Sequence, residues 1–427
     1  MATTSTCTLA INGGQPAVPE GLRFRMWPEI TKEDEDLVLA SLRQDKHASG
    51  PHAQMLQEEF ANWNGNRFCM ATNSGTSALH MCVAACGVCP GDEVITTALS
   101  WTSSASCILH HNAIPIFVDV DWGSMHIDPA KIEAAVTEKS RAILVVHYWG
   151  VACDMDPIMA VARKYNLAVI EDACQAHGAT YKGRKVGTIG DVAGFSLNQN
   201  KNLCGGEGGF FVTNDEAKFT RGKAVTSFSD MRPPEAGRDY HDYGLGWMYR
   251  TSDLAAAFAL SQLRKLDRTN AHARENWQRL SAHLEGTPNL APSFTSGDRP
   301  TNGYAYVLRV DPAYAKARGV GLRKMTEGIV KALGAEGIRV SIANWLLPAH
   351  AVFQAKNAYG KGYPWNAEHT RPDISYDLSQ YPVAQDCIDT CLWNAFNHRP
   401  PNGPEQIDAL AAAVRKVFEN LDEAPVA

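Results

Sequence analysis

The chain has 427 residues, 45% of them hydrophobic and 20% charged, and carries a net charge of −6. That length exceeds one ordinary domain, and the acidic balance argues against a nucleic-acid partner, which would need a basic surface to neutralise phosphates. No apolar run approaches the roughly 18 residues of a membrane span, and residues 1–8 lack the basic start and apolar stretch of a secretory signal. Eleven cysteines, thinly spread and odd in number, suit free thiols in a reducing cytoplasm.

In chain order, the first informative segment is Thr72-Asn73-Ser74-Gly75-Thr76-Ser77-Ala78-Leu79, a polar turn with one glycine that opens into the apolar run 78–85. A helix start of this kind offers backbone N–H groups, a favourable dipole and hydroxyls to a phosphate dianion, and an ordinary Ser or Thr N-cap looks the same. Cys82, Cys86 and Cys89 follow with the C-x3-C-x2-C spacing of radical iron–sulfur enzymes. The better reading continues the helix begun at Thr76, with Cys82 and Cys86 on one face as small apolar side chains. A strand-like run over 93–97 leads to Trp101, whose flat ring suits stacking on a heteroaromatic ring or filling core volume.

From about Phe68 to Thr213, short β-branched runs alternate with helical stretches. Runs 94–97, 114–120, 142–146, 167–170, 192–197 and 209–213 read as strands, several apolar throughout, and 129–136 and 157–165 carry helical spacing. The pattern is that of an α/β domain with a largely parallel sheet between helices, where ligands bind beyond the carboxyl ends of strands. Trp101, Asp172 and Lys201 all fall at or just after such ends. An acid ending one apolar strand and a lysine shortly after another are what an enzyme needs to hold pyridoxal phosphate. The aldehyde is stored as a Schiff base on the amine, and the acid keeps the ring nitrogen protonated. Gly205-Gly206-Glu207-Gly208-Gly209 precedes a strand and does not match G-x-G-x-x-G, so it reads as a tight turn beneath the lysine and not as a dinucleotide fingerprint.

Further along, 251–266 is an alanine-rich helix, followed by a second reaching about Leu284 with Trp277 and Leu280. Residues 304–310 and 338–342 read as strands, and Met325, Ile329 and Leu333 share a helical face. Ile407, Leu410, Ala411, Val414, Val417, Phe418 and Leu421 form one apolar stripe that should pack on its domain, with fraying expected from Asp422. The expected organisation is an N-terminal arm over 1–30, a large domain over 31–267 and a smaller α+β domain over 268–427.

These elements resemble the fold-type I pyridoxal phosphate enzymes, and within them the DegT/DnrJ/StrS sugar aminotransferases, from about Trp27 to the closing helix. The resemblance implies a mostly parallel seven-stranded sheet. It places the cofactor phosphate on the turn of Gly75, Thr76 and Ser77 and on the Ser196 hydroxyl, the stacking ring at Trp101, the ring-nitrogen acid at Asp172, and the residue beside the ring hydroxyl at Gln175. Lys201 matches the Schiff-base lysine, whereas the sugar dehydratase branch carries histidine there, so aminotransfer through pyridoxamine phosphate is the implied activity. The family's Gly-Tyr-Asn-Tyr-Arg run, whose asparagine reaches the neighbouring subunit's phosphate, is here Gly246-Trp247-Met248-Tyr249-Arg250, and Met248 cannot supply that hydrogen bond.

Asn198-Gln199-Asn200, the turn 204–207 and the run 393–401 look like the branch that aminates keto-inositols with glutamine in aminoglycoside-type biosynthesis, whose amide and imidazole groups suit a ring of hydroxyls. A nucleotide-linked keto-sugar is the alternative ketone, and glutamate the alternative donor. A non-catalytic cofactor-binding regulator has little need of lysine, acid, aromatic and phosphate turn together. The resemblance also implies a homodimer with sites completed across its interface. No metal is expected, and Glu207 and Arg250 receive no role.

Overall fold

The computed structural model describes residues 8–229, 245–291, 293–344, 346–394 and 397–425. Its larger sheet is built from Phe68–Thr72 (β1), Glu93–Thr97 (β2), Ile114–Val118 (β3), Ser140–Val146 (β4), Ala168–Asp172 (β5), Val192–Ser196 (β6) and Gly209–Thr213 (β7). Its seven strands lie in the order β1-β7-β6-β5-β4-β2-β3. β7 runs antiparallel to β1 and β6, and the other neighbours pair in parallel. β2, β6 and β7 are buried at every position, as strands covered on both faces must be. The expected strands are all present with adjusted ends. The strand placed at 167–170 extends to Asp172, so the acid is the last residue of β5 and hydrogen-bonded into the ladder.

Two apolar cores cover the faces of this sheet. One contains Leu79, Cys82 and Val83 and continues into Ala305, Val307 and Cys391 of the C-terminal part. Cys82 is fully buried there, within the helix Gly75–Ala85 (α1). Among the described residues no group of His, Cys, Asp or Glu is placed to hold a metal, and no helix is long and apolar enough to cross a membrane.

The smaller sheet joins Leu290–Ala291 (β8), Tyr306–Val310 (β9), Ser341–Ile342 (β10) and Cys391–Asn394 (β11) in the order β8-β9-β11-β10, every pair antiparallel. The strand expected over 338–342 is thus only its last two residues. The closing helix Pro404–Glu419 (α2) buries Ile407, Leu410, Val414 and Phe418 as its stripe requires. Asp422 and Glu423 do not fray. The Tyr314 hydroxyl donates to Asp422 Oδ1 at 2.7 Å, and Glu423 Oε2 accepts the Leu9 N–H at 3.1 Å.

That last contact belongs to the N-terminal arm, whose residues 8–18 lie on the C-terminal part. Glu336, fully buried, accepts the Ala10 N–H at 2.8 Å and the Ala17 N–H at 2.7 Å and pairs with Lys416 at 2.9 Å. A buried carboxylate persists only when paired and hydrogen-bonded in this way.

Candidate active site

The carboxyl ends of the parallel strands open on one cavity of about 510 Å³. β1 ends at Thr72 and turns through Asn73 and Ser74 into α1. Ser74 caps that helix, its hydroxyl accepting the Ser77 N–H at 3.1 Å. The helix start lies against the end of β6: a Cβ built on Gly75 would fall 2.7 Å from Ser196 Cβ and 3.1 Å from Cys174 Sγ. Only glycine lets this helix N-terminus approach the strand so closely. Ser74, Gly75, Thr76 and Ser196 line the cavity. Ser77 does not; its hydroxyl donates to Asn73 Oδ1 at 2.6 Å, so it braces the turn from behind.

β5 delivers Asp172, which is 4% exposed. Ser104 Oγ donates to its Oδ2 at 2.7 Å and the Cys174 N–H to its Oδ1 at 3.1 Å, so both oxygens are held. Ser104 belongs to the helix Ser103–His110, which begins just after Trp101. Trp101 is 55% exposed on the cavity wall, which excludes a core-filling role. Cys174 also lines the cavity; burial first, then the Asp172 charge, drives its thiol well above the ordinary range, which disfavours the thiolate.

After β4 the chain passes through Tyr148 and Trp149, which sequence reasoning had not singled out. Trp149 sits at φ 57°, ψ 19°, a left-handed conformation that costs a bulky residue energy and is kept where surroundings enforce it. Its N–H donates to Gln175 Oε1 at 2.9 Å, which leaves the Gln175 amino group as the end that donates. Gly150 follows at φ 82°, and a Cβ there would lie 2.0 Å from Asn302 Oδ1. Beneath this turn the His147 and Glu171 side chains meet at 2.9 Å in full burial. Burial alone would raise the Glu171 carboxyl, but His147 and the Gly187 and Gly190 N–H groups hold it below the usual range.

Lys201 is half-buried, its Nζ 5.4 Å from the centre of the Tyr304 ring. It stands in a loop between β6 and β7 closed by Gln199 N–H to Gly206 O and Gly205 N–H to Leu197 O, with Gly206 at φ 78°. Glu207, left without a role by the sequence, is on the cavity wall and accepts from Asn198 Nδ2 at 2.8 Å. Tyr304 and Trp393 complete the wall from the C-terminal part; Ala395 and Phe396 of that run lie outside the described residues. Met248 and Arg250 are exposed and do not line the cavity, and the Met248 and Tyr249 carbonyls take the Asn73 amide groups at 3.3 and 2.9 Å. The cavity thus brings together Gly75, Thr76, Trp101, Asp172, Gln175, Ser196 and Lys201, and omits Ser77.

A mostly parallel sheet whose strand ends carry a helix-start anion cradle, a fixed buried acid, an open aromatic ring and a lysine defines a pyridoxal phosphate-dependent aminotransferase of fold type I. The chain belongs to the DegT/DnrJ/EryC1/StrS aminotransferase family, whose model matches residues 28–374. It is 32% identical to the L-glutamine:2-deoxy-scyllo-inosose aminotransferase of Streptoalloteichus tenebrarius over 97% of this chain and 98% of that protein. It is 34% identical to GDP-perosamine synthase of Caulobacter vibrioides over 81% of this chain and 94% of that one. The crystal structure of 3-amino-5-hydroxybenzoic acid synthase superposes with a TM-score of 0.81 at 26% identity, covering 92% of this chain and 98% of that one.

Proposed function

We propose that the enzyme moves the amino group of L-glutamine to a keto-cyclitol of the scyllo-inosose type, in aminocyclitol antibiotic biosynthesis. Gly75 and Thr76 at the start of α1, with the Ser196 hydroxyl, would hold the cofactor phosphate. Trp101 would cover one ring face, Asp172 would bond the ring nitrogen, Gln175 would donate to the ring hydroxyl, and Lys201 would carry the aldehyde carbon. When bound, the cofactor supplies an electron sink for the carbon that loses its proton.

The protein's own residues do the rest. Ser104 and the Cys174 N–H keep the Asp172 carboxylate aimed at one point, so that its charge is preorganised. Lys201 Nζ takes the proton from the α-carbon of the amino donor and, in the second half of the cycle, delivers one to the carbon being aminated.

The observation that carries the choice of ketone is the lining itself. Tyr148, Trp149, Tyr304 and Trp393 offer aromatic faces to the C–H faces of a six-membered ring, while Asn198, Asn200 and Glu207 offer partners for its hydroxyls. Among the described residues that line the cavity, Lys201 alone is basic. A nucleotide diphosphate would find no second cation among the described lining residues, whereas a neutral cyclitol needs none. A nucleotide-linked keto-sugar is the second reading, supported by the identity to GDP-perosamine synthase.

Turnover with 2-deoxy-scyllo-inosose, scyllo-inosose and GDP- or TDP-linked keto-sugars, each with glutamine and with glutamate, decides between them. We expect the highest kcat/KM for glutamine with a cyclitol ketone, and faster amination of a nucleotide sugar would overturn the assignment. The same reading makes the enzyme a cytoplasmic homodimer. Its apolar exposed residues Met26, Phe228, Leu245 and Met248 support an interface, and light scattering that returned only monomer would refute that part.

A further inference from the structure

The lysine loop is gripped by side chains from two distant parts of the chain, at consecutive carbonyls. Trp27, from the arm, donates its indole N–H to the Lys201 carbonyl at 2.9 Å. Arg399, from the segment after β11, donates Nη1 to the Asn200 carbonyl at 3.0 Å and Nε to the Tyr304 carbonyl at 2.9 Å. The Arg399 guanidinium carbon lies 4.6 Å from the centre of the Tyr304 ring and 5.5 Å from that of Trp27. The Lys201 amine is a second cationic neighbour of the Tyr304 ring, at 5.4 Å. One buried cation therefore touches both aromatic rings that flank the lysine, and binds the backbone just before it.

Burying a guanidinium is costly, and Arg399 is 1% exposed. Burial pushes its acidity constant down to about 10, so it remains a cation at any working pH. Arg25 adds a further tie, its N–H and carbonyl both bonded to the Asn402 side chain at 2.8 and 3.0 Å, which fastens the arm beside Arg399. Such an arrangement suits a lysine whose amine must move between bonding a cofactor and shuttling a proton. The tip changes place while the backbone stays put, and proton transfer rates fall steeply with small misplacements.

We infer that Trp27 and Arg399 are positioning residues that lock the Lys201 backbone from the arm and the C-terminal part, so that Nζ alone moves during the reaction. The inference rests on the role proposed for Lys201, but part of its test does not. Trp27→Phe keeps a ring and removes the N–H; Arg399→Lys keeps the charge and removes the fork. Trp277→Phe, a change at a buried tryptophan of the C-terminal core, is the control.

In hydrogen exchange of the protein with and without pyridoxal phosphate, Trp27→Phe should speed exchange of the Gln199, Lys201 and Gly205 amides about tenfold, the factor one such hydrogen bond is worth, and leave β4 and β5 unchanged. With α-deuterated glutamine, the same variant should lower kcat, leave the glutamine KM unchanged and raise the kinetic isotope effect, because proton transfer becomes slower relative to other steps. Trp277→Phe should change neither. If loop exchange and the isotope effect both stay at the wild-type values in Trp27→Phe, the inference is wrong, whatever becomes of Arg399→Lys. Faster exchange with no kinetic change would also overturn it, by reducing the contacts to packing. Failure of the Lys201 assignment itself would be recognised separately, by turnover in Lys201→Ala.

Discussion

The acid proposed to keep a ring nitrogen protonated needs fixed oxygens, and at Asp172 Ser104 and the Cys174 N–H hold one each. Ser104→Ala should therefore lower kcat about tenfold with the fold intact, since a hydrogen bond to a charged group is worth about 1.5–3 kcal/mol. Steady-state kinetics beside a melting curve checks this, and an unchanged kcat would show that Asp172 does not depend on the hydroxyl. Lys201→Ala should abolish turnover, and wild-type transamination by that variant would dismantle the proposed mechanism. Asp172 and Lys201 could be singled out in the sequence because each ends or follows an apolar strand, and a strand end is visible in residue pattern; Gln175 and Ser196 were placed only by the family resemblance. Ser104, Tyr304, Trp149 and Trp27 were not, because their link to the site is a contact across many residues that no local spacing encodes. Ser77 was assigned to the cradle by its place in a motif. Its hydroxyl donates to Asn73 Oδ1, and it does not line the cavity.

At the level of the element, α1 joins two demands, a helix start that can hold an anion and an approach to β6 close enough to share Ser196. Gly75→Ala tests the second. The added methyl would meet Ser196 Cβ at 2.7 Å, and overpacking of this kind costs about 1–3 kcal/mol. Urea unfolding should register that loss, and the affinity for pyridoxal phosphate should fall with it; a variant binding the cofactor as tightly as the wild type would show that the close approach is dispensable. The parallel direction of most strands was readable, since alternating strand and helix dictates parallel pairing with right-handed crossovers. The antiparallel placement of β7 was not, because nothing within Gly209–Thr213 distinguishes its direction. That direction comes from the short loop holding Lys201, which returns the chain beside β6 with no helix in between.

Over the whole molecule, burial holds several imidazoles neutral. His80, His126 and His177 each have an acidity constant lowered to about 3, chiefly by burial, with neighbouring His111 adding to it at His80 and Lys201 at His177. In the unfolded chain these groups bind a proton near 6.5. The unfolded state therefore takes up more protons as pH falls, so stability is fully present above 6.5 and is lost progressively between 6.5 and about 3. Urea midpoints measured at several pH values should decline below 6.5, well before carboxylates such as Glu171 are protonated. Midpoints that stay level down to pH 4.5 would mean that these histidines are not buried as described. Composition gave no hint of this, because a count of histidines does not say which will be shut away from water.

Glu336 gives the arm a practical meaning. Trimming the protein through Val18 would take the Ala10 and Ala17 donors from that carboxylate and leave it to its pairing with Lys416. A shortened version should express poorly or precipitate even though no cavity residue has been touched. Purification tags therefore belong ahead of the arm with its sequence kept whole, and a protease cut within residues 8–18 should cost yield before it costs catalysis.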